Sequence, residues 1–436
     1  MNAKRRSSIA TTSAILTITL GGLLMAATAG ATDGTKLIGI GALQKGTGGA
    51  GVASPKDMTW VLLNPASIID LGCRLDVNLE LFAPYRTLQP KGFMGHTLAG
   101  DMEDDSYFFI PSVGYSKACD CGTEAWGIGL YGVSGMGVEY PRSRAIVPRL
   151  FGQNYDRRTE YSVAKFAVAY AHTLGNTDWT IGVAPSINFA MFKTDMLTLK
   201  FQEARAKNDW DTSMGIGVSF GLYRHWQRLG LGLVYTTRQW MTEFDDYDDL
   251  FFESMDMPQE LQAGFAFDIT PSVELVMDYK YINWSGIDQM AKEPLEGGFG
   301  WKDQHLLKTG LTWFASPEWT FRGGMSLGKA PIKEEYAFAN SLFPAVTENH
   351  VSVGFTYAPN EKSEFHFTYM HAFNNTVRDN GKGDLFSFAG NGTKISLREN
   401  TFTFGYSYKF NAGGCAERRL QWKEEEYQKR KGKGRF

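Results

Sequence analysis

Between Cys73 and Phe410 apolar and polar positions alternate with a period of two. Tyr406, Tyr408 and Phe410 alternate with Gly405, Ser407 and Lys409; Phe365, Phe367 and Tyr369 alternate with Glu364, His366 and Thr368. Leu229, Leu231, Leu233 and Tyr235 alternate with Gly230, Gly232, Val234 and Thr236. This period predicts strands with two unlike faces. One face is large and apolar and ends in aromatic residues. The other is mostly small or polar, rich in Gly, Ser and Thr, as in a barrel with lipid outside. We count fourteen such segments: 73–86, 106–118, 124–137, 158–173, 177–193, 209–224, 228–244, 257–268, 271–286, 300–315, 318–330, 346–358, 363–376 and 398–410. Each is long enough to cross a membrane as a tilted strand. The expected fold class is therefore all-β, a transmembrane antiparallel β-barrel.

The connectors support this reading. Ile269-Thr270, Ser316-Pro317 and the few residues from Pro359 are short links. Long loops fall at 87–105, 138–157, 194–208, 245–256, 287–299, 331–345 and 377–397. Short turns on one side and long loops on the other are the habit of bacterial outer-membrane barrels, whose even strand count returns the chain to its starting side.

Composition narrows the choice. Mean hydropathy is −0.26 with 43% hydrophobic residues, too dilute for a bundle of spanning helices. The one continuous apolar run, from about 9 to 27, follows Lys4, Arg5 and Arg6 and precedes Ala29-Gly30-Ala31. These are the parts of a signal peptide, so residues 1–31 are expected to be removed and the remainder exported to the bacterial outer membrane. A net charge of −3 argues against nucleic acid as a partner. The end of the last strand, residues 403–410, is similar to the aromatic signature read by the outer-membrane assembly machinery. Barrels usually stop there, whereas this chain continues, and residues 411–436 read as a charged periplasmic tail.

Residues 32–72 are short on strand pattern and rich in Gly: Gly39-Ile40-Gly41, then Gly46 through Ala53, then Asn64-Pro65-Ala66. This stretch resembles the N-terminal hatch of the FadL/TodX-type long-chain fatty acid transporters. The resemblance continues in order through Tyr235-Thr236-Thr237-Arg238, Met241-Thr242-Glu243-Phe244, Asp278 to Trp284, Trp301-Lys302-Asp303 and Trp319-Thr320-Phe321-Arg322-Gly323-Gly324. It implies a fourteen-stranded barrel over 73–410 with a hatch at 32–72 plugging the lumen. It also implies passive capture of a hydrophobic molecule by outer loops, a lumenal site, and lateral release beside a kinked third strand. Asn64-Pro65-Ala66 is then expected near that strand. Gly127, Gly129, Gly132, Gly135 and Gly137 suit a kink, and equally suit a wall that makes room for a plug.

Gly46, Gly48 and Gly51 have dinucleotide-loop spacing but lack the strand–turn–helix context. The seven histidines form no HExxH pair and no G-x-S-x-G elbow occurs. No enzyme activity, cofactor or metal is expected. Alternation puts Lys165, Arg238, Lys280, Lys308 and Arg322 on the lumenal face, where a cation could hold a fatty acid carboxylate. Each could instead pair with Glu274, Asp278 or Glu364, or with a hatch carboxylate such as Asp57. Leu250, Phe251 and Phe252, with Met255 and Met257, form an apolar cluster in one loop, and Met196, Leu197, Leu199 and Phe201 form another. Such clusters mark binding grooves or loops packed on each other. Topology gathers Cys73, Cys119, Cys121 and Cys415 on the periplasmic rim, where disulfides form, with Cys73 and Cys415 each bonding a turn cysteine. The partners expected are a hydrophobic ligand such as a fatty acid and the lipids of the outer membrane, around a monomer. The competing functions are a general porin for small polar solutes and a structural or adhesive barrel.

Overall fold

The computed structural model describes residues 33–91, 100–118, 122–140, 157–175, 177–194, 209–248 and 250–411. The segment expected to be a signal peptide and the tail beyond 411 lie outside the described residues.

Fourteen long strands form one antiparallel sheet. They are β1 Cys73–Gln89, β2 Phe108–Ala118, β3 Glu124–Tyr140, β4 Arg157–Thr173, β5 Trp179–Thr194, β6 Asp211–Trp226 and β7 Leu229–Thr236. The second half comprises β8 Glu260–Thr270, β9 Val273–Ile282, β10 Gln304–Phe314, β11 Trp319–Gly328, β12 Asn349–Tyr357, β13 Ser363–Arg378 and β14 Lys394–Asn411. Each pairs with its chain neighbours, and β14 closes on β1 from Cys73 opposite Asn411 to Gln89 opposite Lys394. Closure leaves no edge strand, the condition for strands to stand in lipid.

The alternation in the sequence becomes an inside and an outside. On β1, Val77 and Leu79 point outward and are exposed, while Arg74, Asp76, Asn78 and Glu80 point inward and are buried. On β14, Phe404 and Phe410 are outward and Thr403 and Ser407 are buried. The outward set also includes Ile128, Leu130, Ile187, Phe220, Leu261 and Val353. An apolar belt of this kind is stable only against lipid.

Two expected strands are shorter than their patterns. The span 228–244 ends as a barrel strand at Thr236; the two-residue strand Trp240–Met241 then pairs with Gly215 and Ile216 of β6. The span 271–286 ends at Ile282 and turns into a 3-10 segment, Trp284–Gly286. In both, the apolar run continues past the strand because those residues pack under the loops: Met241, Phe244 and Trp284 are buried. A short strand, Met102–Asp104, pairs with β1 in the loop before β2.

The inward polar residues are buried because the lumen is filled. Residues 33–71 run inside the barrel and include helix α1 (Gly41–Gly46), helix α2 (Trp60–Leu63) and the 3-10 turn Pro65–Asp70. Wall side chains bind this segment's backbone. Asp278 accepts from the N–H groups of Gly51 and Val52 at 2.8 and 2.9 Å, and Asp76 from that of Met58 at 2.8 Å. Asn78 accepts from Ala42 N–H, and the Thr368 hydroxyl donates to Ala42 O at 2.7 Å. Lys45 pairs with Glu80 at 3.0 Å, and Glu274 accepts from Ser54 and Lys56. Bonds to ionised partners are each worth about 1.5–3 kcal/mol net, so the inner segment is held from many sides.

Candidate ligand-binding site

At the long-loop end the lumen is lined by aromatic residues. Phe192 of β5 lies 4.7 Å from Phe251 and 4.8 Å from Tyr247, ring centre to ring centre. Phe299 lies 5.1 Å from Phe343, and Trp284 lies 4.9 Å from Trp301. All but Phe299, which packs against it, belong to one apolar cluster that also takes in Tyr140, Tyr161, Val163, and Val133 and Val138 of β3, and that extends into the inner segment at Met58, Trp60 and Ile68. Phe251 is buried in it and Leu250 packs against it, whereas Phe252 is half-exposed on the loop surface. Met196, Leu199 and Phe201 lie outside the described residues.

Below this cluster sits a group of charges. Asp33 accepts from Lys280 and Lys308 at 2.8 and 2.9 Å. Glu260 pairs with Lys280 at 3.0 Å and with Lys36. Burial would raise the Asp33 carboxyl, but Lys280 and Lys308 overcome it and hold it well below the usual range. Burial, then the ammonium groups of Lys280 and Lys165, push Lys36 well below its ordinary value. Lys165 belongs to the same field and is 6% exposed. Among the described residues no carboxylate lies within ion-pair distance of it. Its ammonium donates to Gln239 Oε1 at 3.1 Å, an oxygen that also accepts from Ser186 and Asn188. Asn188 Oδ1, across the strand pair from Lys165, is buried without a hydrogen-bond partner.

The other cation candidates are placed differently. Lys308 is taken by Asp33, not by Glu274, Asp278, Glu364 or Asp57. Those acids mostly bind inner-segment groups, while Glu364 pairs with Lys409 at 2.6 Å. Arg238 is not on a lumenal strand face; β7 has already ended, and its guanidinium pairs with Asp256 and donates to Gly286 O at the loop end. Arg322 faces α1 and donates to the Thr356 hydroxyl at 2.6 Å.

The third strand carries a break. Its register against β4 shifts between Gly132 and Ser134, a β-bulge, and its ladder with β2 stops at Tyr131 opposite Ser112. A Cβ on Gly132 would stand 2.4 Å from Ile110, so only glycine lets the two strands approach there. Gly135 and Gly137 lie beyond the bulge on the stretch that β2 does not pair. The open edge is met from inside: Gly135 N–H donates to Thr35 O at 3.1 Å, Leu37 N–H to Val133 O at 3.3 Å, and Ser134 Oγ to Thr35 O at 2.9 Å.

The Pro65–Asp70 turn that Asn64-Pro65-Ala66 opens touches β3, as expected, but packs more closely on β4, β5 and β6. Asn64-Pro65-Ala66 itself sits against β5 and β6, with Asn64 donating to Leu222 O at 3.3 Å. A Cβ on Gly182 would meet Ala66 N at 2.2 Å, and one on Gly221 would meet Asn64 Oδ1 at 2.3 Å. The β3 bulge is reached instead by residues 35–37, which alternation gave no reason to single out. Asp33, Gln239, Phe192 and Phe343 were missed for a related reason: their partners are brought together only by the fold. Cys73 carries a free thiol directed at Ala118 O, 3.9 Å away. Cys119, Cys121 and Cys415 lie outside the described residues.

Residues 253–411 match the profile of the family described as "Outer membrane protein transport protein (OMPP1/FadL/TodX)". No curated protein matches the chain. Among solved structures it is similar to the P. putida toluene transporter TodX, with TM-score 0.67 and 14% identity over 86% of this chain and 99% of that one. It is also similar to a Pseudomonas aeruginosa FadL homologue, with TM-score 0.66 and 12% identity over 87% and 100% of the two chains. The Ralstonia pickettii toluene transporter TbuX gives TM-score 0.62 and 14% identity over 86% and 99%. At these identities the likeness is one of fold, and it extends over almost the whole of each relative.

Proposed function

We propose that this chain is an outer-membrane channel of the OMPP1/FadL/TodX kind that passes hydrophobic molecules without an energy source. The observation that carries the reading is the continuous apolar cluster from the loop aromatics to the bulged, partly unpaired edge of β3. A hydrophobic molecule gains by moving along apolar surface and nothing by entering a watery pore. The long loops face outward and the short turns face the periplasm. The molecule is captured among Phe192, Phe251 and Phe343, and residues 33–71 plug the direct route below. Residues 35–37 let go of β3, and the molecule leaves sideways into the bilayer. A filled lumen argues against a general porin.

For the substrate, Lys165 favours an amphiphile with a carboxylate, such as a long-chain fatty acid. A buried ammonium with no carboxylate partner, beneath an apolar ceiling, is completed by an anionic head. A second reading, a monoaromatic hydrocarbon, is favoured by the relatives TodX and TbuX being toluene transporters. The test is uptake of oleate and of toluene by cells whose outer membrane contains this protein as its channel for such compounds. Acceleration of at least one is expected; acceleration of neither defeats the transport reading. In the purified protein, Lys165→Gln should weaken oleate binding about tenfold, the loss of one charge-assisted bond, and leave oleyl alcohol unchanged. Equal effects on both ligands would remove the carboxylate site.

A further inference from the structure

Above Tyr131 the wall between β2 and β3 is held by two side chains in place of a ladder. The residue of β2 that would continue the pairing is Pro111, which has no N–H to offer. Farther up, Arg86 of β1 donates from Nη1 to Gly137 O at 2.5 Å. Its Nη2 pairs with Asp104 at 2.8 Å. Asp104 Oδ2 in turn accepts from the Glu139 N–H at 2.7 Å. Gly137 and Glu139 are alternate residues on the edge that also binds residues 35 and 37, the edge a longer β2 would have covered. Both side chains are buried, at 3% and 5% exposure. Asp104 is itself fixed, because Oδ1 accepts from the Ser106 N–H and hydroxyl at 2.9 and 2.7 Å. Its short strand, Met102–Asp104, is paired to β1 at Arg86, Thr87 and Leu88.

The geometry fixes an opening with a floor and a lintel. The floor is the last ladder pair, Ser112 with Tyr131. The lintel is Arg86 with Asp104. Between them β3 presents residues 132–136, about 16 Å of strand at roughly 3.3 Å per residue. An arginine fork binds a carbonyl and a carboxylate at once and in fixed directions, so it holds the top of β3 at a set distance from β1 where main-chain pairing has ended.

We propose that Arg86 and Asp104 are positioning residues that set the upper limit of this opening, and through it the bulk of the hydrophobic molecule that leaves. The inference rests on the sideways-exit reading above and adds the residues that fix its size limit. Neither side chain touches the apolar path as a ligand contact; both act through β3.

The test compares a small and a bulky probe, toluene and pyrene, in cells producing equal amounts of folded protein. Arg86→Met removes the bonds to Gly137 O and Asp104, with a longer one to Ser106 O at 3.3 Å, and Asp104→Asn keeps the shape while removing the charge. In each, the ratio of pyrene to toluene uptake should rise roughly tenfold, as for loss of a charge-assisted bond, while Arg86→Lys, which keeps the charge pair with Asp104 but loses the fork to Gly137 O, should raise it less. An unchanged ratio in both variants, or a parallel loss of both probes, overturns the inference. Should Arg86→Met fail to fold, the nearly isosteric Asp104→Asn decides. Spin labels on Phe109→Cys and Glu139→Cys read the wall without any transport. A longer and broader distance distribution in the Asp104→Asn background is expected, and an identical one overturns the inference. A wild-type protein that accelerates neither probe, with the spin-label response intact, instead strikes the transport reading.

Discussion

At the scale of single residues, the buried carboxyl of Asp57 is the clearest source of pH dependence. It lies in the inner segment, where the N–H and hydroxyl of Thr59 donate to Oδ1 at 2.9 and 2.5 Å, while Oδ2 is buried without a partner. Burial first, then the nearby Asp76 carboxylate, push its pKa up to about 7 against the help of Thr59. The unfolded value is 3.8. A group raised in the folded state stabilises it most below the unfolded value, and that contribution is lost as pH rises through the folded one. The packing of residues 57–63 should therefore loosen between about pH 4 and 7. Hydrogen exchange of their amides, corrected for intrinsic rates, should show protection falling over this window in the wild type and staying level in Asp57→Asn. A level wild-type profile would mean that Asp57 does not govern this region. Residue-level reasoning from sequence reaches only part of this. Alternation placed Lys165 and Lys308 inward correctly, because a strand's faces follow from its period. It could not say that Asp33, 275 positions away, would claim Lys308 and leave Lys165 without a carboxylate. It also misplaced Arg238, because an apolar run continues after β7 stops.

At the scale of elements, the strands were legible and the break in one of them was only half so. A strand with lipid on one face and a polar plug on the other writes its register into every second residue, which is why segments such as 124–137 and 363–376 foretell β3 and β13. Pro111 and Gly132 were both visible, yet the end of a ladder depends on which residues stand opposite, and pairing is not printed in one strand. Nor was it visible that residues 35–37 would serve as a substitute partner for the open edge. Thr35 and Ser134 offer a direct test, since Ser134 Oγ lies 3.0 Å from Thr35 Oγ1. That spacing suits a disulfide once both are cysteine. Thr35→Cys with Ser134→Cys should lock the inner segment to β3 and abolish ligand-dependent uptake, and reductant should restore it. Full uptake by the oxidised, locked protein would show that the segment need not leave β3.

At the scale of the whole molecule, the proposed sideways route divides the inner segment into a part that would have to move and a part that would stay in place. Residues 35–37 are attached to β3 by a few backbone and hydroxyl bonds. The remainder is held around the barrel by Asp76 and Asn78 of β1, Thr368 of β13, and Glu274 and Asp278 of β9. Ejecting the whole plug would break these together and leave several wall carboxylates unpartnered, each costing about 1–3 kcal/mol or more. Local release of residues 35–37 breaks fewer, the Lys36–Glu260 pair and the bonds to β3 among them. The channel should therefore work with the lower plug covalently fixed. Gly46 and Thr368 are the place to fix it: a Cβ on residue 46 would stand 3.2 Å from Thr368 Oγ1, close to the sulfur-to-Cβ separation of a disulfide. Oxidised Gly46→Cys with Thr368→Cys should carry ligand at the wild-type rate, in contrast to the lock at residues 35 and 134. If the lower lock also stops uptake and reductant restores it, the plug moves as a body, and the sideways route loses its main support.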